Sequence, residues 1–135
     1  VEDIDVIRKL ALNGDADAQY SLGRLYYGGK NASGDQEDAK VWYELAAEQG
    51  DAYKQYYIGM HNRGPGVPKD DEEAAKWWRL AAEQGHADSQ YGLGMMYMEG
   101  CGVEKDPDEA EKWLRLAAAH GNGDAEKELR ERLIL

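Results

Sequence analysis

The sequence predicts an all-α fold built as a tandem array of helix pairs, and recurrence, spacing and helix punctuation all point to it. Ala16-Asp17-Ala18-Gln19-Tyr20-Ser21-Leu22-Gly23 returns as Ala52-Tyr53-Lys54-Gln55-Tyr56-Tyr57-Ile58-Gly59 and as Ala87-Asp88-Ser89-Gln90-Tyr91-Gly92-Leu93-Gly94. The closing glycines are 36 and 35 residues apart. A second block, Ala39 with Trp42-Tyr43-Glu44-Leu45-Ala46-Ala47, returns at Ala74 with Trp77-Trp78-Arg79-Leu80-Ala81-Ala82 and at Ala110 with Trp113-Leu114-Arg115-Leu116-Ala117-Ala118. Both blocks carry their apolar stripe at helical spacing.

The elements follow in order. Residues 1–14 hold an unpaired helix from Ile4 to Asn13, equivalent to a second block, with Gly14 standing where Gly50 stands. Residues 15–50, 51–85 and 86–121 are three helix-pair repeats, and residues 122–135 form a terminal helix. Asp15 and Asp51 precede the first helices as N-caps, with His86 at the third such position; Asp35, Asp70 and Asp106 precede the second helices. Asp70 with Glu73, and Asp106 with Glu109, have capping-box spacing, and Pro107 falls at a first helical position. Gly50, Gly85 and Gly121 end the second helices. Gly64-Pro65-Gly66-Val67-Pro68 and Gly100-Cys101-Gly102-Val103 are the turns inside a pair, a pattern that Lys30-Asn31-Ala32-Ser33-Gly34 has lost. Copy two is one residue shorter between Gly59 and Gly64 than copy three between Gly94 and Gly100, so His61 or Asn62 stands where Tyr97 does. In the last helix Lys127 and Arg130 replace Tyr91 and Gly94, while Ala125, Leu129 and Leu133 keep one apolar stripe, the pattern of a terminal cap. The unpaired first helix leaves the N-terminal side open to further repeats.

Composition narrows the function classes. Leu, Ile, Val and Phe make up about 16% of the chain, a fraction that with a net charge of −11 belongs to disordered proteins unless other residues build the core. Here 18 Ala, 9 Tyr and 4 Trp do so. The acidic balance argues against nucleic acid, which needs a basic patch. No apolar run is long enough to span a bilayer, and a single Cys101 excludes an internal disulfide framework. No charged-then-apolar leader precedes the repeats, so an export signal is absent or already removed. His61, His86 and His120 lack metal-ligand spacing, and the acidic runs at 70–73 and 106–109 lack the alternating oxygen ligands and glycine of a calcium loop. No nucleophile motif or phosphate-cradling loop occurs, so neither enzyme nor cofactor is expected.

The blocks Ala-x-x-Gln-Tyr-x-Leu-Gly-x-x-Tyr and Glu-Ala-x-x-Trp-x-x-x-Ala-Ala-x-x-Gly resemble the Sel-one-like repeat family, relatives of the tetratricopeptide repeats. The resemblance covers almost all of the chain. It implies a right-handed superhelix whose first helices line a concave groove, and an adaptor that holds proteins or peptides in assemblies; many bacterial members are exported. A cysteine-rich branch is linked to β-lactam binding, but this sequence lacks its Cys pairs and any Ser-x-x-Lys.

Internal repetition suggests a sorting rule: positions identical in every copy serve packing, and positions that change choose the partner. Trp42, Trp77 and Trp113 with Leu45, Leu80 and Leu116 are then expected in the core. The groove face implied by the resemblance carries Asp17, Tyr20, Arg24 and Tyr27; then Tyr53, Tyr56, Met60 and Arg63; then Asp88, Tyr91, Met95 and Met98. Tyr20, Tyr56 and Tyr91 recur and read mainly as scaffold. The rest mix aromatic, Arg and thioether chemistry suited to a peptide surface. The expectation is a non-catalytic interaction module for a protein or peptide segment, its acidity favouring basic or mixed-charge partners. An immunity protein that plugs a bacterial effector enzyme is a rival, and a hydrolase of β-lactams or cell-wall material has least behind it.

Overall fold

A computed structural model describes residues 4–28, 36–63 and 70–132, with the side chains of residues 27, 28 and 36–38 outside that description. The described residues form α1 (Ile4–Leu12), α2 (Ala16–Gly28), α3 (Gln36–Ala47), α4 (Ala52–His61), α5 (Asp71–Glu83), α6 (Ala87–Glu99), α7 (Pro107–Ala119) and α8 (Gly123–Arg132), without a strand among them. Each helix packs chiefly on its neighbours in sequence, the one-dimensional pattern of a solenoid.

The caps fall where the sequence places them. Asp15 Oδ1 accepts from Ala18 N at 2.8 Å, Asp51 from Lys54 N at 3.1 Å, and Asp70 from Glu73 N at 3.0 Å. Asp106 accepts from both Asp108 N and Glu109 N at 3.2 Å. His86 fills the equivalent place with its ring, Nδ1 accepting from Ser89 N at 3.2 Å. Asn122 caps α8 by accepting from Ala125 N at 2.8 Å, a cap that sequence reading missed. Asp35 and the turns at 30–34 and 64–68 lie outside the described residues.

Copy two resolves its shortened turn by ending its first helix early. The helix α4 has 10 residues against 13 in α6. Asn62 O accepts from Asp70 N at 2.8 Å just as Tyr97 O accepts from Asp106 N at 3.0 Å. Asn62 is therefore the equivalent of Tyr97, and the missing residue falls between Asn62 and Asp70.

Packing corrects the expectation for the recurring leucines. Trp77 and Trp113 are buried and Trp42 is half-buried against Ile7, Ala11, Ala18 and Leu22. Leu45, Leu80 and Leu116, however, are 40%, 40% and 38% exposed. The residue after each Trp is buried instead, although its identity changes: Tyr43, Trp78 and Leu114. At ~100° per residue, positions 39, 42, 43, 46 and 47 share an arc of about 140°, and position 45 falls about 60° outside its edge. Sameness between copies is thus not burial, and variation is not exposure.

A polar clasp, invisible as such in the sequence, ties three consecutive helices at every repeat. Gln19, Gln55 and Gln90 are buried, and their amides donate to the carbonyls of Ala11, Ala47 and Ala82 at 3.1, 3.3 and 3.0 Å. Their Oε1 atoms accept from Gln49 Nε2 at 3.0 Å, Gln84 Nε2 at 2.8 Å and the His120 ring at 2.9 Å. Each clasp gives a second donor to a carbonyl at the end of the preceding helix, where Gly14 N, Gly50 N and Gly85 N already reach Ala11, Ala47 and Ala82 O at 3.0, 3.1 and 3.0 Å.

Candidate functional site

The second residue of the Trp77-Trp78 doublet organises a concave part of the face carried by α4 and α6. Trp78 is 7% exposed and lies between glycines of both helices. A Cβ built on Gly59 would meet its Nε1 at 2.3 Å, and one on Gly92 its ring at 2.7 Å. Its Nε1 donates to Tyr56 O at 3.0 Å, and its ring stacks on Tyr56 with centroids 6.0 Å apart. The Arg63 guanidinium lies 5.7 Å from the Trp78 ring centroid and pairs with Asp71 at 2.8 Å. Above Trp78 opens a cavity of about 470 Å³ lined by Tyr56, Met60, Arg63, Asp88, Tyr91 and Gly92.

One repeat earlier the same space is filled. Tyr57 is the equivalent of Gly92, and its ring sits 6.0 Å from Tyr20 and 5.4 Å from Tyr56, with Tyr43 5.4 Å from Tyr20. The exchange of Tyr43 for the larger Trp78 leaves no room for a side chain at position 92. Glycine there admits the indole and, by carrying no ring, opens the pocket. Tyr53 completes the filled cluster at 4.7 Å from Tyr57, and Lys54 lies 6.0 Å from the Tyr20 centroid while pairing with Asp17 at 2.8 Å.

Tyr20, Tyr56, Tyr57 and Tyr91 hold their protons unusually well. A hydrogen bond with Tyr53 pushes Tyr57 up to about 12 from 10.0. Burial raises Tyr20, Tyr56 and Tyr91, with nearby Asp88 adding to the shift at Tyr56. A tyrosine whose folded value is raised keeps its proton while the unfolded chain loses it. The resulting stabilisation is complete below pH 10 and disappears as pH climbs toward the folded value of about 12. An ultraviolet tyrosinate titration should therefore show a late-ionising class, and stability should fall across the same interval. Uniform ionisation of all tyrosines at the ordinary value would contradict this cluster.

Of the residues expected on the partner-facing stripe, the pocket gathers Tyr56, Met60, Arg63, Asp88 and Tyr91. Asp17, Tyr20 and Tyr53 belong to the adjoining filled cluster, with Tyr53 53% exposed. Arg24 is exposed, and the Tyr27 side chain lies outside the described residues. Met95 and Met98 pack against Leu114, Ala117, Ala125 and Leu129, which ties α6 to α7 and α8. Trp78 and Gly92 were not among the expected site residues. Their signal is a compensating pair of departures, of copy two from Tyr43 and of copy three from Tyr57.

No group of three or more His, Cys, Asp or Glu among the described residues is arranged to hold a metal ion, and no described helix is long and apolar enough to cross a membrane. His86 and His120 serve the cap and the clasp.

Stacked helical hairpins with a side-chain-lined cleft define a helical-repeat protein. The Sel1 repeat model matches residues 16–51, 55–86 and 87–122, and the chain belongs to the Sel1 repeat family, whose proteins are commonly protein–protein interaction scaffolds and typically non-catalytic. The crystal structure of a Sel1 repeat protein from Oxalobacter formigenes is similar, at 36% identity and a TM-score of 0.79 over 97% of this chain and 99% of that one. So is c5321, a protective antigen of uropathogenic Escherichia coli strains with an SLR fold, at 36% identity and a TM-score of 0.84. This chain is covered to 96% and spans 28% of that antigen. Helicobacter pylori cysteine rich protein B shares the fold at 21% identity and a TM-score of 0.65, covering 93% of this chain and 96% of that one. No curated protein matches the sequence.

Proposed function

We propose that this protein is an interaction scaffold that holds a segment of another protein along the face carried by α2, α4 and α6. The observation that carries this reading is the pocket between α4 and α6, where five side chains of that face converge on one concave space. Exposed Tyr53 and Met60 flank it, aromatic and thioether surface of the kind that anchors peptides. The chain's net charge of −11 favours basic or mixed-charge segments and speeds their approach.

Affinity capture with wild-type bait and an Arg24→Ala/Tyr53→Ala/Met60→Ala bait tests the reading. All three side chains are exposed, so helicity and melting temperature should be nearly unchanged. The captured partner should bind the variant at least roughly tenfold more weakly. Equal affinity for both baits would remove the partner from this face.

A further inference from the structure

Resting on that reading, we propose that the pocket between α4 and α6 is an anchor for one cationic side chain, arginine or lysine, of the bound segment. The rings of Tyr56, Trp78 and Tyr91 line it, and aromatic faces attract cations. Asp88 stands among them with an exposed carboxylate. Among the described residues that carboxylate accepts from Asn122 Nδ2 at 2.9 Å and pairs with no cation, so acceptor capacity remains for a guest. The lining's own cation, Arg63, is committed to Asp71 at 2.8 Å. Met60, 44% exposed, offers a soft contact for an aliphatic stem.

The chain shows the same chemistry once internally. Asp88 and Tyr91 repeat Asp17 and Tyr20, and at that earlier pair a lysine is already bound. Lys54 reaches Asp17 at 2.8 Å and lies 6.0 Å from the Tyr20 ring centroid. The residue equivalent to Lys54 in the next register is Ala125, which is buried against α7. On that side of α6 Asp88 is met by Asn122 Nδ2 at 2.9 Å, and on the other side the absence of a ring at Gly92 leaves the pocket between α4 and α6 open to a guest. Recognition of a cation by an Asp-x-x-Tyr pair thus occurs once within the chain, between α2 and α4.

The test uses blocked pentapeptides of alanine with a central Arg, Lys, norleucine or Glu, titrated into isotope-labelled protein. Amide and indole signals of Trp78, Tyr91 and Gly92 report occupancy. The Arg and Lys peptides should shift these signals saturably and bind roughly tenfold more tightly than norleucine, with Glu causing no shift. Asp88→Asn should erase the cationic advantage with helicity intact. Trp78→Tyr/Gly92→Tyr, which rebuilds the filled arrangement of the preceding repeat, should abolish the shift of the remaining reporter, the Tyr91 amide. Equal binding of Lys and norleucine, preference for Glu through Arg63, or absence of any shift would each overturn the cationic anchor. Such failures leave the partner-facing stripe to the capture experiment, whose bait also changes Arg24 and Tyr53, outside the pocket lining.

Discussion

Replacing Gly59 with alanine should destabilise the fold by about 3 kcal/mol or more, the upper end of overpacking costs. A Cβ there would stand 2.3 Å from Trp78 Nε1 and 2.4 Å from the neighbouring ring carbon. The indole cannot retreat, because Gly92 backs its opposite edge at similarly close range. Any tilt also strains the Nε1 bond to Tyr56 O, a part-buried pairing whose loss adds about 1 kcal/mol. The equivalent contacts are Gly23 with the Tyr43 ring at 2.7 Å and Gly94 with Leu114 at 3.0 Å, so the penalty should decline in the order Gly59, Gly23, Gly94. Gly123→Ala is the control: its Cβ meets nothing within 4 Å, and the change should be neutral or stabilising by up to about 1 kcal/mol. Chemical denaturation of the four variants measures the series. A Gly59→Ala protein as stable as the parent would mean the helices do not meet through this contact.

Removing the clasp is the second large effect. Gln90→Leu keeps side-chain bulk but removes two hydrogen bonds, to Ala82 O and to the His120 ring, at a side chain only 2% exposed, while Ala82 O keeps its backbone donor Gly85 N at 3.0 Å. The expected cost is about 1–3 kcal/mol. His120→Ala should cost less, under about 1 kcal/mol, because the ring is exposed and Gln90 keeps its bond to Ala82. The difference between these two variants in urea unfolding reads the buried half of the clasp separately from its exposed half. Equal, negligible effects would show that the glutamine amide serves no purpose in holding the stack.

Much of this architecture was legible because repetition multiplies weak local signals. Asp15, Asp51, Asp70 and Asp106 each cap a helix as their spacing implies. Burial was less legible, since a copy-to-copy comparison records identity rather than direction. Leu45, Leu80 and Leu116 are identical yet largely exposed, while Tyr43, Trp78 and Leu114 differ and are core. The clasp escaped notice because its glutamines read as polar surface until the neighbouring carbonyls are in place. The pocket escaped for a related reason. It depends on two compensating departures, Trp78 for Tyr43 and Gly92 for Tyr57, that meet only when two successive repeats are stacked.

The exposed leucines also supply the sharpest alternative surface. Leu45, Leu80 and Leu116 form a repeated apolar row on the second helices, away from the pocket-bearing first helices. Hydrogen exchange on the complex with its captured partner, read peptide by peptide, decides between them. Binding through the proposed face predicts added protection in α4 and α6, over residues 52–61 and 87–99, with α3, α5 and α7 unchanged. Protection confined to the second helices around Leu45, Leu80 and Leu116 would contradict it.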